Sequence, residues 1–214
     1  MTYSAMAGDV LHFLQTRRLK TVSLLGHSMG GKVAMTVALN PSLTEGLLEN
    51  LIVEDTAPSA GAQMTEFPGY IMGMREVHAA KVNSRKEAAG ILSEWEKDPA
   101  TLQFLLTNLE LPPVVECARF KIPLDILEKT SAMGDFPYAP GERQWRGRTL
   151  FVRGTKSKYM NEHNIPVVQQ MFPNMQLAEL PAGHWGNSNS FHRPQEFRKL
   201  VSQFIGPVHR SSSD

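Results

Sequence analysis

Ser28 lies in Gly26-His27-Ser28-Met29-Gly30, between the apolar run Val22–Leu25 and the small-residue run Gly31–Met35. A serine hydroxyl is a poor nucleophile until a base takes its proton, and a carboxylate must hold that base in the right tautomer. Gly-x-Ser-x-Gly between a strand and a helix forms a tight turn that lifts the hydroxyl out at the top of a sheet. Gly26 and Gly30 are expected to be the positions where a Cβ would clash. The Met29 amide opens the following helix, where it would face a developing oxyanion. The five-residue pattern alone arises often by chance, and a Gly-rich turn with an ordinary serine is the competing reading. The flanking strand and helix are what the motif requires, and they favour a nucleophile elbow.

Seven histidines could supply the base. His184 is the best placed. It sits in Pro181-Ala182-Gly183-His184-Trp185, just past the last predicted strand, on the same sheet edge as Ser28. A loop histidine capping a carbonyl is the alternative. His27 reads as a structural or pocket-lining neighbour of the nucleophile. The chain order nucleophile, acid, histidine fits an α/β-hydrolase fold. In that fold the acid usually follows the strand here read as Thr149–Arg153. The loop in question, Gly154-Thr155-Lys156-Ser157-Lys158-Tyr159, holds no carboxylate, and Ser157 stands in the expected place. Asp55, at the end of the strand after the nucleophile helix, is the leading acid. A turn or N-cap aspartate is its competing reading. Asp125, in Ile122-Pro123-Leu124-Asp125, is the second candidate and Asp135 the third.

The elements that must position these groups read as follows. Met6, Val10, Phe13 and Leu14 recur at helical spacing and predict an amphipathic helix over Tyr3–Thr16. Thr21–Leu25 and Asn50–Glu54 predict buried strands, with a helix over Met29–Asn40 between them. That unit implies parallel strands with a right-handed crossover. Residues 60–139 are helix-rich and punctuated by Pro99, Pro112-Pro113 and Pro123. They read as a helical lid insertion, with residues 1–59 and 140–214 as the core. Phe67, Tyr70, Met72, Met74, Phe104, Leu105 and Leu109 could line an acyl pocket or simply pack the insertion. Strands follow at Arg148–Arg153 and Gln176–Leu180, with a helix over Glu162–Phe172 between them. Gln195–Ile205 predicts a closing helix with Phe197, Leu200, Val201 and Phe204 on one face. His209–Asp214 is a polar tail.

Composition narrows the class. A chain of 214 residues, 42% apolar, can bury a core. A net charge of +1 gives no reason to expect nucleic acid. No apolar run is long enough to span a membrane. Cys117 is the single cysteine and reads as a packed thiol. The histidines are dispersed, so neither a metal nor an organic cofactor is implied.

The run Gly26–Met35 resembles the mitochondrial α/β-hydrolases related to abhydrolase domain-containing protein eleven. That family includes fungal ethanol acetyltransferases and small bacterial esterases. Met1–Val10, Leu51–Pro58, Leu105–Leu109, Thr149–Gly154, Leu180–Trp185 and Arg193–Phe197 carry the resemblance along nearly the whole chain. The resemblance implies a serine esterase, thioesterase or alcohol acyltransferase acting on small acyl esters or thioesters. It implies Ser28, Asp55 and His184 as the triad, some members pointing instead to Asp125. It also implies a mitochondrial location, a cytoplasmic one being the alternative. The family carries further strands before the elbow, with a loop that completes the oxyanion hole. The expectation is therefore an α/β-hydrolase fold lacking its first strands, with a mostly parallel sheet. Losing one oxyanion donor costs on the order of 10²–10³ in rate. An unpaired Val22–Leu25 edge would invite oligomerisation. A catalytically impaired chain that acts by binding a partner is the rival reading.

Overall fold

The computed structural model describes residues 1–59, 67–129, 136–184 and 194–206. The chain divides into two compact units, Met1–Gly61 with Gly134–Asp214, and Ala62–Met133.

The first unit begins with helix α1 (Tyr3–Thr16), strand β1 (Val22–His27), helix α2 (Met29–Ala38) and strand β2 (Leu48–Glu54). Thr2 caps α1, its hydroxyl accepting the Ala5 N–H at 3.2 Å. The face α1 buries keeps Leu14 and, in part, Val10 from the predicted stripe but is otherwise shifted. Tyr3, Ala7, Leu11 and Leu14 point inward, and Ala7 and Leu11 pack against Val37 of α2. Phe13 is 53% exposed, with the Arg17 guanidinium over its ring. Rotating the stripe by one position lets the small Ala7 approach α2, which the bulkier Phe13 could not do.

The second unit holds helices α3 (Phe67–Ala79), α4 (Arg85–Leu92) and α5 (Pro99–Leu105), and a 3-10 turn at Leu106–Asn108. A two-residue antiparallel pair follows, β3 (Leu109–Glu110) with β4 (Arg119–Phe120), and then α6 (Leu124–Glu128). Ser84 caps α4 while the Glu87 carboxylate reaches back to the Asn83 N–H, so two orphan donors are satisfied. Pro99 opens α5 instead of breaking a helix, because the first turn needs no N–H there. Tyr70, Met74 and Leu105 belong to this unit's own core with Val77, Leu92 and Phe120. Met72 and Phe104 are exposed.

The chain returns to the first unit with β5 (Arg148–Gly154), α7 (Ile165–Met171), β6 (Met175–Leu180) and α8 (Pro194–Ile205). Four parallel strands form one sheet in the order β1-β2-β5-β6. Side chains alternate across it. Leu51, Val53 and Phe151 join Met35 of α2 and Val168 and Met171 of α7 on one face. Ile52, Leu150 and Val152 meet Phe197 and Phe204 of α8 on the other. Covered on both faces, β2 and β5 carry consecutive apolar residues at their centres, Leu51–Val53 and Leu150–Val152. Each fully buried Leu, Ile or Phe stabilises the unit by roughly 1.5–3 kcal/mol. β1 is at one edge, where Leu25 is 44% exposed.

The parallel register brings the strand ends level. His27 lies opposite Glu54, Glu54 opposite Val152, and Gly154 opposite Leu180. The segments that follow all four strands therefore leave from one edge of the sheet. Among the described residues no helix is long and apolar enough to cross a membrane. Asp135, Trp185, Arg193 and the tail His209–Asp214 lie outside the described residues.

Candidate active site

Ser28 is the single residue between β1 and α2, with φ 52° and ψ −117°. A non-glycine residue in that region costs on the order of 1–3 kcal/mol and persists only where its surroundings fix it. Its N–H donates to the Glu54 carbonyl at 3.0 Å, and its carbonyl accepts the Lys32 N–H at 3.1 Å. The glycines around it are not equivalent. A Cβ on Gly26 would lie 2.2 Å from the Gly30 carbonyl oxygen. A Cβ on Gly31 would lie 2.6 Å from Thr56 Cγ2 and 3.0 Å from the Gly26 carbonyl oxygen. A Cβ on Gly30 would meet nothing within 4 Å among the described residues. The tight pair is Gly26 with Gly31, not Gly26 with Gly30, because the backbone of β1 approaches α2 at its third residue. Met29 begins α2, so its N–H has no acceptor within the helix.

Asp55 follows β2 and also has φ 52°. Its N–H donates to the Val152 carbonyl at 2.8 Å. Its carboxylate is fully buried, and both oxygens are used. Oδ1 accepts the Gly154 N–H at 3.0 Å and Oδ2 faces His184 Nδ1 at 2.7 Å. The segment beyond it is pinned from α2. Lys32, 4% exposed, donates from Nζ to the Ser59 carbonyl at 3.0 Å.

His184, four residues past β6, is 5% exposed. Its Nε2 lies 2.8 Å from Ser28 Oγ. A carboxylate only accepts, so Nδ1 carries the proton and donates to Asp55. Nε2 then presents a lone pair to the serine hydroxyl. The structure thus brings Ser28, His184 and Asp55 into one hydrogen-bonded line. Asp125 belongs to the second unit, where its side chain is 81% exposed and ion-paired with Arg75.

Among the described residues, two rings flank His184. Tyr159 stacks on it with centroids 3.6 Å apart, and His27 lies 5.1 Å away at a 36° tilt. His27 Nε2 is buried with no hydrogen-bond partner among the described residues. Burial chiefly, with the neighbouring His184, pushes the His27 pKa down to about 4 against the opposing pull of Asp55. The stack with Tyr159 escapes a reading by motif. The signal available in the sequence was an aromatic residue in the very loop that lacks a carboxylate. Among the described residues no three His, Cys, Asp or Glu side chains are placed to hold a metal.

Residues 7–92 match the PGAP1-like alpha/beta domain. The abhydrolase domain-containing protein C22H12.03 of Schizosaccharomyces pombe is 30% identical over 96% of this chain and 74% of its own length. The chain belongs to the α/β-hydrolase family. The sn-1-specific diacylglycerol lipase ABHD11 of Xenopus tropicalis is 34% identical over 96% of this α/β-hydrolase. A probable alcohol acetyltransferase of Saccharomyces cerevisiae is 30% identical over 95% of it. The chain spans 63% of the length of each of these two relatives. A solved marine microorganism esterase superposes with a TM-score of 0.84 at 27% identity, covering 95% of this α/β-hydrolase and 77% of the esterase.

Proposed function

We propose that this α/β-hydrolase cleaves small carboxylic esters or thioesters through an acyl-enzyme on Ser28. The observation that carries the reading is the continuous line from Ser28 Oγ through His184 to Asp55, with links of 2.8 and 2.7 Å. His184 Nε2 takes the hydroxyl proton as Oγ attacks the acyl carbon. Asp55 keeps the ring oriented and stabilises the imidazolium. The Met29 amide at the head of α2 stabilises the oxyanion. His184 then protonates the leaving group, and water, activated by the same histidine, releases the acid.

A second reading is favoured by the similarity to the alcohol acetyltransferase of budding yeast. In that reading an alcohol, not water, accepts the acyl group on the same residues. Diacylglycerol, the substrate class in the frog relative's name, is the natural lipid ester to test. The mitochondrial location implied by the resemblance belongs to this proposal.

Fluorophosphonate labelling of the purified chain tests the nucleophile. Labelling is expected in the wild type and absent in Ser28→Ala and His184→Ala. A folded wild type that takes no label overturns the proposal. Product analysis with acetyl-CoA, ethanol and water together separates hydrolysis from acyl transfer.

A further inference from the structure

The proton line leaves Tyr159 unexplained. Its ring lies nearly parallel to the His184 imidazole, 21° between planes and 3.6 Å between centroids. It is 8% exposed and firmly held. Its N–H donates to Ser157 Oγ at 3.2 Å, and its carbonyl accepts Nδ2 of the buried Asn164 at 3.0 Å. The segment leading to it is laced to the one that carries His184. Thr155 and Lys156 donate to the Leu180 and Ala182 carbonyls at 2.9 and 3.0 Å. Gly154 lets the two approach, since a Cβ there would fall 2.4 Å from the Ala182 carbonyl oxygen. The loop without a carboxylate therefore gives Asp55 a hydrogen bond and gives His184 an aromatic face.

We propose that Tyr159 is a positioning residue for His184. Its π face fixes the imidazole in the Ser28–Asp55 line and stabilises the imidazolium that forms when Nε2 takes the serine proton. This rests on the serine-hydrolase reading above. The face of an aromatic ring is electronegative and attracts a cation. Positive charge on His184 develops as Oγ attacks, so the attraction is stronger in the transition state than in the ground state. Such an interaction raises kcat and leaves KM nearly unchanged. Among the described residues, Ser28, Asp55 and His27 also face His184. Burial keeps His27 uncharged near neutral pH, so it adds no repulsion when His184 becomes charged.

The test uses p-nitrophenyl acetate turnover and, without substrate, an NMR titration of the His184 ring. Tyr159→Phe, Tyr159→Leu and phenylalanines carrying one to three ring fluorines at position 159 are compared. Tyr159→Phe should stay within about twofold of wild type. Tyr159→Leu should lower kcat about tenfold, within the range for a desolvated cation–π contact, with little change in KM. Successive fluorines, which drain the π face at almost constant volume, should lower kcat stepwise. The His184 titration should move to lower pH in the same order. A flat fluorine series with an unmoved titration overturns the proposal. The fluorinated series decides even if Tyr159→Leu fails to fold. A wild type that turns over no ester defeats the hydrolase reading, while the titration still tests the stacking.

Discussion

Gly26→Ala should dismantle the elbow, whereas Gly30→Ala should leave it intact. A Cβ on Gly26 would stand 2.2 Å from the Gly30 carbonyl oxygen, 2.4 Å from its carbon and 2.6 Å from the Gly31 nitrogen. Real Cβ atoms stay beyond 3.0 Å, so from 2.2 Å the head of α2 must retreat by about 0.8 Å. All three atoms are backbone, and no rotamer change relieves them. Overpacking of this kind costs about 1–3 kcal/mol, and a backbone collision belongs at the upper end. The retreat also moves Ser28 against His184, and a displacement near 1 Å costs about 10²-fold in rate. At Gly30 the added methyl meets nothing within 4 Å among the described residues. Alanine in a helix gains about 0.5–1 kcal/mol over glycine. Urea unfolding followed by circular dichroism gives the stabilities, and initial rates on a short ester give the activity. A Gly26→Ala variant as stable and active as wild type, or a Gly30→Ala variant less stable by more than about 1 kcal/mol, would refute the steric argument.

Asp55→Asn should keep the acceptor for the Gly154 N–H but present an amide to His184, which would shift the ring proton to Nε2. A loss on the order of 10⁴ in kcat is expected, with the fold retained, while Asp125→Asn should leave kcat unchanged; steady-state kinetics on both separates the candidate acids. The His27 pKa of about 4 lies below its ordinary 6.5. Above pH 6.5 neither the folded nor the unfolded chain binds this proton. As the pH falls from 6.5 towards 4 the unfolded chain takes it up first, so stability should drop by up to about 3 kcal/mol and then level off. Urea midpoints at stepped pH check this, and His27→Gln should flatten the slope. Leu11→Ala should destabilise by about 2–5 kcal/mol and Phe13→Ser by no more than about 0.5, as measured by urea unfolding; equal losses would return the buried face of α1 to the predicted stripe.

The parts legible in the sequence are those whose cause is local. The elbow is one short strand–turn–helix segment. The strands β2 and β5 announce themselves by the apolar triplets Leu51–Val53 and Leu150–Val152, because both faces are covered there. Asp55 and His184 could be placed on one edge because parallel strands expose their C-terminal ends there, and a strand end can be read from composition. What stayed hidden depends on contacts between distant segments. The tightest near-contact at Gly31 involves Thr56 Cγ2, two residues beyond the end of β2. The inward face of α1 follows from how closely Ala7 approaches Val37, not from helical periodicity alone. The predicted helix Glu162–Phe172 shortens to Ile165–Met171 because Asn161 and Asn164 build a turn of hydrogen bonds before it. The stack of Tyr159 on His184 requires the β5 and β6 ends to be adjacent, which a pattern along one strand cannot reveal.

The order β1-β2-β5-β6 has a kinetic consequence. Ser28 and His184 are separated by 156 positions and Asp55 and His184 by 129. Contacts of such long span form slowly, because the intervening chain must lose its freedom first. During refolding, helical signal from α1, α2 and the second unit should return before β6 docks beside β5 and delivers His184. Under the proposed function, reactivity of Ser28 is therefore a clock for the last event in assembly, and a refolding chain should look folded before it takes a label.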